Sequence, residues 1–67
     1  MTFAEKMQTV RKQLFLSQEA MAKELGVSFA TVNRWEKGKC EPGYKAQKAF
    51  SDLCEKNNID PNSLANN

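Results

Sequence analysis

The feature that most restricts how this chain can fold is the stretch from residue 18 to residue 37, QEAMAKELGVSFATVNRWEK. Two short amphipathic segments meet there with only Gly26-Val27-Ser28 between them, so the spacing predicts two helices that cross closely. A close crossing dictates side-chain sizes. Ala22 is the small residue at the crossing, and Gly26 permits the positive φ that ends the first segment. Val27 plugs the turn, Val32 faces the crossing, and Trp35 anchors the second segment one turn later. Ser17 and Ser28 stand as N-caps, and Glu19 in the first turn suits the helix dipole.

The remaining sequence predicts further helices around this pair. Thr2 followed by Glu5 forms a capping box, and Phe3, Met7, Val10 and Leu14 recur as one apolar stripe. Glu5, Lys6, Gln8, Lys12 and Gln13 fall outside that stripe and are expected to meet water. Gly38 closes the third helix, and residues 39–43, with Pro42 and Gly43, read as a loop. Ala46, Ala49, Phe50, Leu53 and Cys54 repeat at the spacing of a fourth amphipathic helix, which Asn57-Asn58 breaks. Asp60-Pro61 reads as an N-cap with proline at the first helical position, flanked by the staple pair Ile59 and Leu64. The expectation is therefore all-α: a compact five-helix bundle forming a single domain over residues 1–67.

Composition narrows the chemistry. The chain starts at Met1 and has no long apolar run, so neither a signal peptide nor a membrane span is expected, and the cytoplasm is the default compartment. Two cysteines, Cys40 and Cys54, and no histidine leave no zinc site; free thiols, no metal and no cofactor are expected. No nucleophile–base pair can be assembled from neighbouring positions, so an enzyme is not expected. The net charge of +2 is unevenly placed. Residues 28–48 carry five basic and two acidic groups, whereas residues 49–67 carry one basic and three acidic. The positive excess thus lies on and just after the third helix, where a polyanion could meet it. On a helical wheel Ala30, Asn33, Arg34 and Lys37 cluster opposite Val32 and Trp35, with Phe29 at the margin.

Gln18, Met21, Ala22, Leu25, Gly26, Val27, Val32, Trp35, Glu36 and Gly38 together resemble the helix-turn-helix of the Xre/Cro family. This is the phage-repressor type of DNA-binding domain. The likeness extends through the lead-in Leu16-Ser17-Gln18-Glu19 and the exit Glu36-Lys37-Gly38-Lys39. It implies a lambda-repressor-like bundle of five helices in which helices 2 and 3 form the helix-turn-helix. Helix 3, about residues 29–37, would enter the major groove of double-stranded DNA, with Phe29, Ala30, Asn33 and Arg34 reading bases. Arg34 suits guanine, Asn33 adenine, and Phe29 and Ala30 thymine methyls. Phe29 has a second reading, folded back against helices 2 and 3. Gln18, Lys37, Lys39 and Lys45 would contact phosphates, although each lysine also reads as an ordinary solvated side chain. Arg11 and Glu36 match positions that pair inside the family's bundle.

The resemblance implies a sequence-specific transcriptional regulator, a repressor, from a bacterium or mobile element such as a phage. A bundle this small touches few base pairs, so a homodimer on a palindromic operator is expected, with half-sites roughly 34 Å apart. Two alternatives stay open: the antitoxin or controller component of a small gene pair, and a protein-interaction module of the same fold that does not bind DNA. One residue departs from the pattern. Phe15 stands where the family often has glycine or asparagine, so helix 1 is expected to run on or exit differently, leaving Phe15 exposed at a subunit contact.

Overall fold

A helix starts where a side-chain oxygen can accept from an amide that has no partner within the helix. The computed structural model describes residues 2–61, and three of its helices start this way. They are α1 (Phe3–Gln13), α2 (Gln18–Leu25) and α3 (Phe29–Glu36); the fourth, α4 (Tyr44–Lys56), follows the loop. Thr2 Oγ1 accepts from the Glu5 amide at 3.2 Å while Glu5 Oε1 accepts from the Thr2 amide at 2.9 Å, which is the capping box expected from sequence. Ser17 caps Ala20 at 3.0 Å and Ser28 caps Thr31 at 3.2 Å. Gly43 offers α4 no side-chain cap. Instead Gln47 Nε2 donates to the Pro42 carbonyl at 3.0 Å and ties the helix to its loop.

All four described helices stop by one device. After α1, the Leu16 amide reaches back to the Arg11 carbonyl and the Phe15 amide to the Lys12 carbonyl. The same pair of bonds recurs at Val27 and Gly26, at Lys39 and Gly38, and at Ile59 and Asn58. This Schellman closure needs a left-handed residue at the stop. Gly26 (φ 71), Gly38 (φ 74) and Asn58 (φ 57) suit it; Phe15 (φ 57) does not. The expectation that helix 1 would run on or leave differently at Phe15 is corrected here. The helix ends as the others do, and the phenylalanine takes the conformation that glycine usually takes. Two closing hydrogen bonds and the packing of Leu16 against the core outweigh a steric cost of about 1–2 kcal/mol.

The bundle has four helices among the described residues rather than five. The expected fifth helix falls almost wholly on residues 62–67, and with Leu64 of the staple lies outside the described residues; Pro61, the last described residue, has 3₁₀ geometry. Every described helix contributes to one core. Met7 and Val10 come from α1, Met21, Ala22 and Leu25 from α2, Val32 and Trp35 from α3, and Phe50, Leu53 and Cys54 from α4. Phe3 meets Trp35 and Phe50 edge-on, with ring centroids 6.3 and 5.3 Å apart. Val32 is fully buried and Ala22 nearly so, as the crossing of α2 and α3 requires. Burying a side chain of Val or Met size stabilises by about 1.5–3 kcal/mol. The crossing therefore holds α3 rigidly by its inner face and leaves its outer face free.

Replacing Phe15 by glycine removes the left-handed strain at little packing cost, because the ring is 95% exposed. The expected net gain is about 0.5–1 kcal/mol after allowing for glycine's freer unfolded chain. Thermal melting should therefore show Phe15→Gly unfolding several degrees above the parent, and an unchanged or lower midpoint would contradict this account.

Candidate nucleic-acid interface

The charge on the outer face of α3 depends on where the helix's single carboxylate goes. Glu36, its last residue, is 7% exposed and is the one charged residue buried among those described. Arg11 Nε donates to Glu36 Oε2 at 2.7 Å, and Nη2 donates to Oε1 at 3.0 Å, a two-pronged contact from α1 to α3. The hydrogen bond to Glu36 raises the Arg11 pKa above its ordinary value, against the smaller opposing effect of burial. Arg11 Nη1 also donates to the Leu16 carbonyl at 3.1 Å, fastening the turn after α1. This is the internal pair that the family resemblance implied.

Two glutamines complete the arrangement. Gln18 Nε2 donates to Glu36 Oε1 at 3.0 Å, and Gln18 Oε1 accepts from Asn33 Nδ2 at 3.0 Å. Gln8 Nε2 donates to the Glu36 backbone carbonyl at 2.8 Å, satisfying one of the carbonyls a helix end leaves open. Gln8, which the apolar stripe of α1 assigned to water, therefore spans from α1 to α3. A polar residue beside an apolar stripe gives no sign of a partner 28 positions away. The only hint available was that Gln8 and Arg11 lie three residues apart on one face of the helix.

The expected site residues divide into two groups. Ala30, Arg34 and Lys37 are exposed on the outer face of α3, and Phe29 at its start is 51% exposed, so the ring is not folded away. Lys39 is exposed just past the stop of α3. Lys45 is exposed in the first turn of α4 and shares a recess of about 290 Å³ with Leu25, Gly26 and Val27, which puts it beside the helix-turn-helix turn. Gln18 and Asn33 are half-buried and bonded to each other, so neither stands as free as a helical wheel suggests. The wheel places residues by angle alone and does not see a polar neighbour on the next helix.

Removing Glu36 from the surface makes this face more positive than the sequence count indicates. Arg34 and Lys37 remain exposed on α3 and its cap with no exposed acidic neighbour on that helix. The only ion pairs among the described residues are Arg11–Glu36 and Lys48–Asp52, so Arg34, Lys37, Lys39 and Lys45 keep their charges available. Among the described residues no group of three potential metal ligands comes together, and no helix is long and apolar enough to cross a membrane. The arrangement is a rigid convex helix face with an apolar N-terminal tip and cations further along. Such a face suits an anionic partner.

Breaking the buried pair from one side should be costly. Arg11→Met leaves the Glu36 carboxylate without its cation, and about 3 kcal/mol of stability is expected to be lost. Urea denaturation would read this as a lower midpoint at constant slope. A loss below half that figure would mean that the pair does not hold the helices together.

Comparison with known proteins agrees with this geometry. The sequence matches a family described as helix-turn-helix over residues 7–64. It is similar to the HTH-type transcriptional activator BcrR of Enterococcus faecalis, 39% identical over 51 residues that make up 76% of this chain and 25% of that protein. The chain thus spans about a quarter of the length of that relative. The fold is similar to the crystal structure of the P22 c2 repressor protein in complex with a synthetic operator. The TM-score is 0.75 at 28% identity, covering 96% of this chain and 92% of that one.

Proposed function

The chain belongs to the helix-turn-helix family of Xre/Cro type, and from that premise we propose that it is a sequence-specific double-stranded DNA-binding transcriptional regulator. Its α3, with the flanking Lys37, enters the major groove. The observation that carries this reading is the free outer face of α3, where Phe29, Ala30 and Arg34 stand exposed and the helix's one carboxylate is turned inward. Likeness to a repressor bound to operator supports the same reading.

Each residue then has a task. Arg34 forks onto guanine O6 and N7, and Phe29 and Ala30 pack against thymine methyls. Asn33 reads adenine through its carbonyl oxygen, since its amide is held by Gln18. Gln18 sits at the start of α2, where the first amides of a helix favour an anion, and with Lys37, Lys39 and Lys45 it contacts phosphates. Two copies on a palindromic operator supply the specificity that one small bundle lacks. Repression is the direction we assign, because occupying an operator needs only this face. The relative named an activator has three quarters of its length outside the matched part.

Selection from a random duplex pool, followed by titration of the recovered sequence at two salt concentrations, tests the proposal. A palindromic consensus and an affinity falling steeply with salt are expected. Arg34→Ala should cost about 1–3 kcal/mol and relax preference at one position, whereas Lys45→Ala should reduce the salt slope by about one and leave the consensus alone. Replacing thymine by deoxyuracil at the positions facing Phe29 should weaken binding, as the methyl is lost. No enriched sequence, or binding indifferent to salt and to Arg34→Ala, would favour a protein-interaction module of this fold instead.

A further inference from the structure

The turn between α1 and α2 carries two costs: the first is outweighed by its closing hydrogen bonds, and the second is met by no contact within the described bundle. Phe15 holds a left-handed backbone at φ 57, and its side chain is 95% exposed. Glycine would hold the same backbone with less strain, and a polar side chain would meet water more favourably. Strain of this kind gathers at working surfaces. Next to the turn a recess of about 200 Å³ opens between α2 and α4, lined by Leu14, Leu16, Glu24, Leu53, Lys56 and Asn57. A cavity of about 150 Å³ is enough to hold a benzene ring. A second hollow of about 250 Å³ shares Glu24, Leu53 and Lys56 and carries the trough on past Ala49 and Asp52. Glu24 and Lys56 border both hollows with opposite charges, and neither belongs to the ion pairs formed within the described residues.

We propose that Phe15 docks reciprocally into this recess on a second copy of the chain, giving a two-fold contact at the α1–α2 turn. A contact of this symmetry needs one patch that carries both a projection and the hollow that receives it. Leu14 and Leu16 flank Phe15 in the chain and line the recess, so projection and hollow share one edge. The two-fold rotation sets Glu24 of each copy against Lys56 of the other, which makes the rim complementary as well. An aromatic anchor seated in a recess is the kind of residue that dominates interface energy. Stable interfaces take about 800 Å² from each partner, and one anchor with its rim covers less of the chain's 4472 Å². The contact is therefore weak, seen at high concentration or where two copies are already held close. It does not depend on DNA binding.

Sedimentation of the full chain without DNA, over a wide dilution series, tests this. The parent mass should rise with concentration from 7.6 kDa towards twice that value. Phe15→Gly should remain at 7.6 kDa throughout while melting at a higher temperature, so that association and stability move in opposite directions. Glu24→Lys and Lys56→Glu should each fail to self-associate yet associate with one another on mixing, because the mixture restores opposite charges on both sides. A parent that stays at 7.6 kDa at every concentration would overturn the proposal. So would Phe15→Gly associating like the parent, or charge variants that do not pair on mixing.

Discussion

The bundle depends most on one buried carboxylate. Glu36 sits where α1, α2 and α3 converge, and taking an ionised carboxylate out of water costs several kcal/mol unless it is met by charge and hydrogen bonds. Arg11 meets it from α1 with two donors and Gln18 meets it from α2 with a third. Because Gln18 also accepts from Asn33, the orientation of the carboxylate passes on to the outer half of α3. Apolar contacts would tolerate small slips between these helices. Directed hydrogen bonds at 2.7 to 3.0 Å do not, and so they fix how α3 is presented.

The same pairing shapes the surface. With Glu36 turned inward, the cations Arg34 and Lys37 dominate the outer side of α3, while the acidic residues Asp52 and Glu55 lie exposed on α4. Exposed lysines share α4 with those acids, so what folding sorts is the outer side of α3, where only cations are left exposed among the charged groups. Such sorting steers an approaching polyanion towards one side of the molecule far better than the charge total alone would. Internal architecture and external electrostatics are here one arrangement.

The helix stops show how a fold can impose its geometry on a residue that resists it. Gly26, Gly38 and Asn58 adopt the left-handed conformation readily, and their chain segments would turn there in almost any context. Phe15 adopts it because the Arg11 and Lys12 carbonyls are satisfied only by amides placed in that way, and because Leu16 must reach the core. Local preference is overruled by a few hydrogen bonds and one half-buried leucine. The ring is left in solvent, between two leucines that line a recess of mixed polarity.

Most of the secondary structure was legible from local chemistry. The capping box at Thr2 and Glu5, the serine caps, the glycine stops and the four apolar stripes each depend on residues within a turn or two of one another. That is the range over which sequence pattern determines conformation. The helix-turn-helix was legible for the same reason: Ala22, Gly26, Val32 and Trp35 state their size requirements within fourteen positions of chain. The bridge from Gln8 to Glu36, the tie between Gln18 and Asn33 and the strained stop at Phe15 were not. Each depends on groups up to 28 residues apart, or on backbone demands set by the packed core. The sequence alone determined which helices form and which face of α3 is polar. Tertiary structure decided which of those polar groups are free to meet a partner and which are spent holding the bundle, because hydrogen bonding between helices is settled only once they are packed.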